Sequence, residues 1–163
     1  MRRARTAGPC SATRRLRRPG GAGKFGSMYL SQIPRTPGVH LMGIADLSPD
    51  RARANLKLVG WREDITRAQN FDEALRDGST CITQDWKALV EHPALDVLVE
   101  CTGSPPHAVE HILHAFAHGK HVVNVTVEAD AFCGPLLARR AEQAGVVYSL
   151  AFGDQPALIC DLV

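Results

Sequence analysis

No apolar run in this 163-residue chain approaches the roughly 20 residues that cross a bilayer as a helix, so nothing in it reads as a membrane span and a soluble protein is expected. Its five cysteines (Cys10, Cys81, Cys101, Cys133 and Cys160) include no C-x-x-C pair. Neither a disulfide framework nor a zinc cluster is indicated, and reduced thiols in a cytoplasmic protein are expected. Residues 1–20 hold seven arginines and no acid, which leaves 12 basic against 17 acidic residues in the remainder, a net of −5. That leader admits three readings: a nucleic-acid arm, an organellar transit peptide, or a segment with no evolved role. It lacks the apolar core of a secretory signal, and Pro9, Pro19 and scattered glycines break any amphipathic helix. An unstructured leader is therefore expected over 1–20. The acidic body does not extend a basic footprint, so nucleic acid is not an expected partner.

What the chain does have is Gly21-Ala22-Gly23-Lys24-Phe25-Gly26, followed by a helical pattern and, twenty positions after Gly26, by Asp46 at the end of an apolar run. In a dinucleotide site the first glycine allows a tight turn, the second lets backbone amides approach a diphosphate, and the third lets helix pack on strand. A carboxylate near the end of the next strand accepts from the ribose hydroxyls. The hexapeptide, including Lys24 and Phe25, is thus the candidate diphosphate loop, and Asp46 the candidate ribose ligand. A carboxylate there repels a 2′-phosphate and favours NAD, while Arg51 leaves NADP open. The structural alternative for Asp46 is a capping role beside Ser48. One element is missing: the residues before Gly21 are Arg14-Arg15-Leu16-Arg17-Arg18-Pro19-Gly20, not the apolar strand that feeds such a loop. Each arginine replacing an apolar residue in a central strand forfeits about 1.5–3 kcal/mol.

Beyond Gly21, short apolar runs alternate with helical patterns and no internal repeat is present, the rhythm of an α/β doubly wound parallel sheet, here truncated and with a degraded first strand. Helices are predicted near 24–32, 49–58, 71–76, 85–91, 106–118 and 130–143. Strands are predicted at 39–45, 81–83, 96–101, 121–127 and 146–151. Residues 21–154 form the dinucleotide-binding domain in this reading, and 155–163 begin a helix that leads to a second domain. Thr102-Gly103-Ser104-Pro105-Pro106 follows a strand directly, at the sheet edge where ligands bind.

Histidines at 107, 111, 114 and 118 are spaced 4, 3 and 4 apart and form one helical stripe opposite Val109, Ile112, Leu113 and Phe116. They are expected to face water, with no metal bound. Cys101 reads as a strand thiol rather than a nucleophile. Glu128 and Asp130 follow the strand at 121–127 and read as a helix cap or as substrate-side carboxylates.

Five segments taken together, G-A-G-K-F-G-S-M, G-I-A-D-L-S-P-D-R-A, E-C-T-G, H-G-K-H-V-V-N-V-T-V-E-A-D and A-F-G-D-Q-P-A-L, resemble the amino-terminal cofactor domain of the homoserine-dehydrogenase-like NAD(P) oxidoreductases with a carboxyl-terminal SAF domain. The resemblance spans Gly21 to Val163. It implies a Rossmann fold, a nicotinamide cofactor on the glycine loop and Asp46, and nicotinamide-side contacts from Thr102-Gly103 and Glu128. Val127-Glu128 stand where homoserine dehydrogenases carry an Asn-Lys pair, so a related polyol or hydroxy acid is as open as homoserine for the substrate. The catalytic residues are unassigned. The implied protein is a fragment lacking its substrate domain, inactive by itself, with residues 1–20 a product of a shifted reading frame or a misplaced start. Oligomerisation is left open, and the alternative is a noncatalytic nucleotide-binding or interaction module.

Overall fold

The computed structural model describes residues 6–11 and 24–151. Among these residues six parallel strands build one sheet: β1 (Thr6–Ser11), β2 (Gly43–Asp46), β3 (Cys81–Thr83), β4 (Val97–Glu100), β5 (His121–Asn124) and β6 (Tyr148–Leu150). Their order is β3-β2-β1-β4-β5-β6. Among the described residues, six α-helices connect or flank them: α1 (Lys24–Gln32), α2 (Pro49–Leu58), α3 (Phe71–Asp77), α4 (Trp86–Glu91), α5 (Pro105–Ala117) and α6 (Val127–Ala144). The chain is thus an α/β protein with the doubly wound parallel topology that its alternating pattern predicts.

Local chemistry sets most boundaries. Asn70 and Asp85 cap α3 and α4 by accepting from the amides of Glu73 and Ala88, satisfying donors that a helix start leaves unpaired. Pro105 and Pro106 open α5, where the missing proline donor costs nothing. β2 and β4 are buried on both faces, as a parallel sheet covered by helices requires. Two apolar layers result. One gathers Met42, Leu89, Leu98, Ile112, Phe116 and Val122 with α4, α5 and α6; the other gathers Leu30, Ile33, Ile44, Leu56 and Trp61 with α1 and α2. Gly43 faces the first layer because a Cβ there would stand 2.7 Å from Leu89 Cδ1 and 3.0 Å from Phe71 Cε1.

The composition of residues 1–20 points to an unstructured leader, and for Thr6–Ser11 that expectation is corrected. β1 lies between β2 and β4, with Cys10 and Ser11 opposite Ala45 and Asp46, and Thr6, Pro9 and Cys10 opposite Val97, Val99 and Glu100. The physical reason is in its composition. Thr6-Ala7-Gly8-Pro9-Cys10-Ser11 contains no arginine, since Arg2, Arg3 and Arg5 precede it and Arg14, Arg15, Arg17 and Arg18 follow it. Backbone pairing fills the central slot with six residues, none of which carries a guanidinium. The weakness of the strand shows elsewhere: Pro9 has no amide to donate, and the register against β4 shifts between Thr6 and Pro9. Residues 12–20 separate β1 from Gly21, so the strand does not run straight into the glycine hexapeptide.

Two further boundaries differ from the sequence pattern. The run His121 to Val127 reads as one strand, yet β5 ends at Asn124 and α6 already begins at Val127. The Asn124 side chain accepts from the Thr126 amide and donates to the Thr126 carbonyl, which turns the chain out of the sheet. Helix α6 carries Pro135 inside it and has a non-helical residue at Cys133, where the proline disturbs the preceding turn. The helix start expected after residue 154 lies outside the described residues.

Candidate nucleotide-binding site

In the observed strand order, the crossovers lead away from the β1–β4 boundary in opposite directions, which opens a crevice beyond the carboxyl ends of those strands. Asp46 sits opposite Ser11 at one side of that boundary; Glu100, the last residue of β4, sits opposite Cys10 at the other. Asp46 and the Thr102-Gly103 turn therefore flank the end of the central strand. Glu128, exposed in the first turn of α6, stands one strand further out beyond β5. Lys24 and Phe25 open α1, and Gly26 follows in its first turn; Gly21 and Gly23 lie outside the described residues. No described atom comes within 4 Å of a Cβ built on Gly26, so the close helix–strand approach expected of the third glycine is not seen among the described residues.

Asp46 is buried at 6% exposure, and its Oδ1 accepts from the Ser48 amide at 2.8 Å and from Arg51 Nη2 at 2.9 Å. Ser48 occupies the cap position of α2, but its side chain makes no capping bond. The carboxylate two residues earlier holds the turn instead. The Arg51 side chain is 44% exposed, which limits the stability of the ion pair to about 0–1 kcal/mol. Its contribution is to fix the carboxylate at the strand end, with a cation beside it that the sequence had placed within reach of a 2′-phosphate.

A second, fully buried carboxylate was not singled out by the sequence. Glu100 Oε1 accepts from the Thr102 amide at 3.1 Å, and Oε2 accepts from Thr126 Oγ1 at 2.5 Å. Thr126 Oγ1 in turn accepts from the Gly103 amide at 3.0 Å. Glu100 thus ties the turn after β4, which carries Gly103, to the turn after β5, which leads into α6 and Glu128. Gly103 adopts φ 66°, a left-handed conformation that favours glycine. Thr102 is buried, with its hydroxyl accepting from the Ser104 amide at 3.3 Å. The signal available in sequence was a lone acid closing the apolar run Val97-Leu98-Val99, since a buried carboxylate demands donors.

The network continues outward. Asn124 Nδ2 donates to Tyr148 Oη at 3.1 Å, and that hydroxyl donates to Asp130 Oδ1 at 2.8 Å. Burial, and then the bond to Asp130, pushes the Tyr148 hydroxyl well above the usual phenol range. The contribution of this raised value to stability is present below the ordinary phenol pKa of about 10 and is lost as pH rises beyond it, because the unfolded chain ionises first. Asp130→Asn is expected to bring the Tyr148 titration down while leaving it above an exposed tyrosine, since burial remains. Absorbance titration of the two tyrosines checks this, and an unmoved high-pH step would contradict the assigned hydrogen bond.

The histidine stripe needs correction. His111 is 2% exposed, not solvent-facing, while Leu113 of the expected apolar face is 40% exposed. The cause is Glu100: His111 Nδ1 lies 3.5 Å from Glu100 Oε1, and the His111 ring packs on Trp86 at 4.3 Å between centroids. Helix α5 is therefore rotated toward Ala108, His111, Ile112 and Ala115. Cys101 is half-buried. A cavity of about 400 Å³ exists between α2 and the 61–69 segment, lined by Arg53, Leu56, Trp61 and Arg67 among others, but it takes in none of Asp46, Thr102, Gly103 or Glu128. Among the described residues, no helix is long and apolar enough to cross a membrane.

Comparison with known proteins agrees with this fold. Biliverdin reductase from Synechocystis, solved with biliverdin and NADP+, superposes with a TM-score of 0.61 at 17% identity over 90% of this chain and 37% of its own. A homoserine dehydrogenase from Thiobacillus denitrificans gives 0.60 at 20% identity over 91% of this chain and 30% of its own. GenD2 from gentamicin A biosynthesis, solved with NAD, gives 0.59 at 19% identity over 93% and 35%. This chain thus spans about a third of the length of each, and at these identities the likeness shows the fold. No curated protein matches significantly. The family described as homoserine dehydrogenase, NAD binding domain, matches residues 21–150, and the chain belongs to that family.

Proposed function

We propose that this chain binds a nicotinamide dinucleotide along the carboxyl edge of its sheet, as the cofactor-binding part of an oxidoreductase. The observation that carries the reading is the placement of Asp46 and the Thr102-Gly103 turn on either side of the end of β1. In this reading the diphosphate lies on the amides of residues 21–26 at the start of α1, where aligned peptide dipoles favour an anion. Asp46 accepts from the adenosine ribose, and Gly103 and Glu128 border the nicotinamide half. The bound nicotinamide would supply hydride transfer. Substrate-binding and proton-transfer groups belong to the remainder of a longer protein of the kind seen in the relatives, of which this chain spans about a third. The substrate is homoserine or a related polyol or hydroxy acid, the SAF domain would follow the cofactor part, and the setting is the cytoplasm.

NAD is favoured over NADP by the fixed carboxylate, although the neighbouring Arg51 offers a counter-charge if it swings from Asp46. Isothermal titration of the chain with each dinucleotide tests both points. Hydrogen bonds to a charged group are worth about 1.5–3 kcal/mol, so Asp46→Asn is expected to weaken NAD binding roughly tenfold or more. NADP should lose less. Binding of neither dinucleotide at millimolar concentration would defeat the proposal. NAD affinity unchanged in Asp46→Asn would remove the ribose assignment alone.

A further inference from the structure

On the outer face of α5, away from the nucleotide edge, His114 and His118 lie one helical turn apart, and Glu91 at the end of α4 meets them. One ligand atom from each of Glu91, His114 and His118 lies within 4.8 Å of the others. His114 Nε2 stands 3.0 Å from Glu91 Oε1. His118 Nδ1 stands 2.9 Å from the His114 carbonyl oxygen. That second contact is informative, because a carbonyl oxygen only accepts. Nδ1 must carry the hydrogen, which leaves the Nε2 lone pair of neutral His118 open for a ligand bond. Metal-bound histidines are oriented by this same kind of bond from the other ring nitrogen to a backbone carbonyl or carboxylate. The rings of His114 and His118 are 4.4 Å apart, so the two imidazoles already share one side of the helix.

We infer that Glu91, His114 and His118 form a binding site for a divalent transition-metal ion of the zinc, cobalt or nickel class. Two imidazoles and one carboxylate suit those ions rather than magnesium or calcium, which prefer all-oxygen shells. Three protein ligands leave a fourth tetrahedral position for water or another exchangeable ligand. Bonds of about 2.0–2.1 Å bring tetrahedral ligand atoms closer together than the 4.8 Å limit seen here, so the set must close slightly. It can do so by side-chain rotation, since Glu91 and His118 are exposed and His114 is half-buried. On binding, the ion takes the place of the proton that now joins His114 to Glu91. The sequence pattern predicts no metal on this stripe, and what it does not register is the carboxylate that the fold brings to it from a different helix. Such an ion would pin the six-residue α4 to α5.

The structure also supplies a reporter. The Trp86 ring lies 5.1 Å from that of His114, whereas Trp61 is buried in the opposite layer. Titration of the full chain with Co²⁺ or Ni²⁺ is expected to quench Trp86 fluorescence saturably at one ion per chain, and Zn²⁺ should reverse the quench by competition. Glu91→Gln is expected to weaken binding roughly tenfold or more, on the scale of losses seen when groups supporting a metal are removed. The His114→Gln/His118→Gln double variant should lose the saturable signal, and His107→Gln should retain it. Quenching that survives in the double variant would place the ion elsewhere, for instance on the cysteines, and would overturn the inference. So would quenching retained in Trp86→Phe, or an absence of saturable binding to the native chain.

Discussion

Replacing Glu100 with alanine is expected to lower stability by about 3–5 kcal/mol, because two buried donors lose their acceptor together and His111 loses the carboxylate that it faces. The Thr102 amide and the Thr126 hydroxyl donate to its two oxygens, and His111 Nδ1, which has no hydrogen-bond partner among the described residues, faces Oε1 at 3.5 Å. Each orphaned buried donor costs about 1–3 kcal/mol, and relaxation around the cavity recovers only part of the sum. In a domain of this size that loss corresponds to a fall in Tm of roughly 10 °C. Glu100→Gln is the informative partner variant. An amide keeps one accepting oxygen for the Thr102 amide but offers N–H where Thr126 needs an acceptor, and Thr126 Oγ1 already accepts from Gly103. The glutamine protein should therefore fall between native and alanine in a thermal melt. A loss below about 1 kcal/mol in Glu100→Ala would mean that the two turns hold their shape without the carboxylate. The network is then not what positions Gly103 and the start of α6.

Those buried contacts also explain which parts of the site were readable in the sequence. Asp46 was legible because it closes a continuous apolar run and is followed by Ser48-Pro49, a helix-opening signal that fixes where the strand must end. The Thr102-Gly103 turn was legible for the same reason, as turn residues after a buried strand. The partners of Glu100 were not, since His111 and Thr126 are brought to it from a helix and from another strand end. Hydrophobic periodicity assumes that the most apolar face of a helix is the buried one. In α5 a buried acid draws a histidine inward and leaves Leu113 outside, which periodicity cannot register. β1 was hidden for a different reason. Its small residues form no apolar run, and its place is defined by the backbone edges that β2 and β4 present to it. Likewise Val125 and Val127 suit a strand in isolation, and the Asn124 side chain ends β5 before them.

Leu98→Ala should remove about 2–5 kcal/mol by leaving a cavity in the packed core. Leu98 is fully buried in the middle of β4, its backbone registered against Val122 and its side chain within the layer that holds Ile112 and Phe116. Leu58, 84% exposed at the end of α2, is the matched control and should change stability by less than about 0.5 kcal/mol when cut to alanine. The strand that loses packing is also the one that carries Thr102-Gly103, so this variant tests fold and proposed function in a single measurement. A ligand that binds only the native state at one hundred times its Kd adds about 2.7 kcal/mol. Excess NAD should therefore restore much of the lost Tm in Leu98→Ala, and should restore far less when Asp46→Asn is added. Cooperative melting of Leu98→Ala with no response to NAD would leave the packing account standing and remove the nucleotide from the crevice at the β1–β4 boundary.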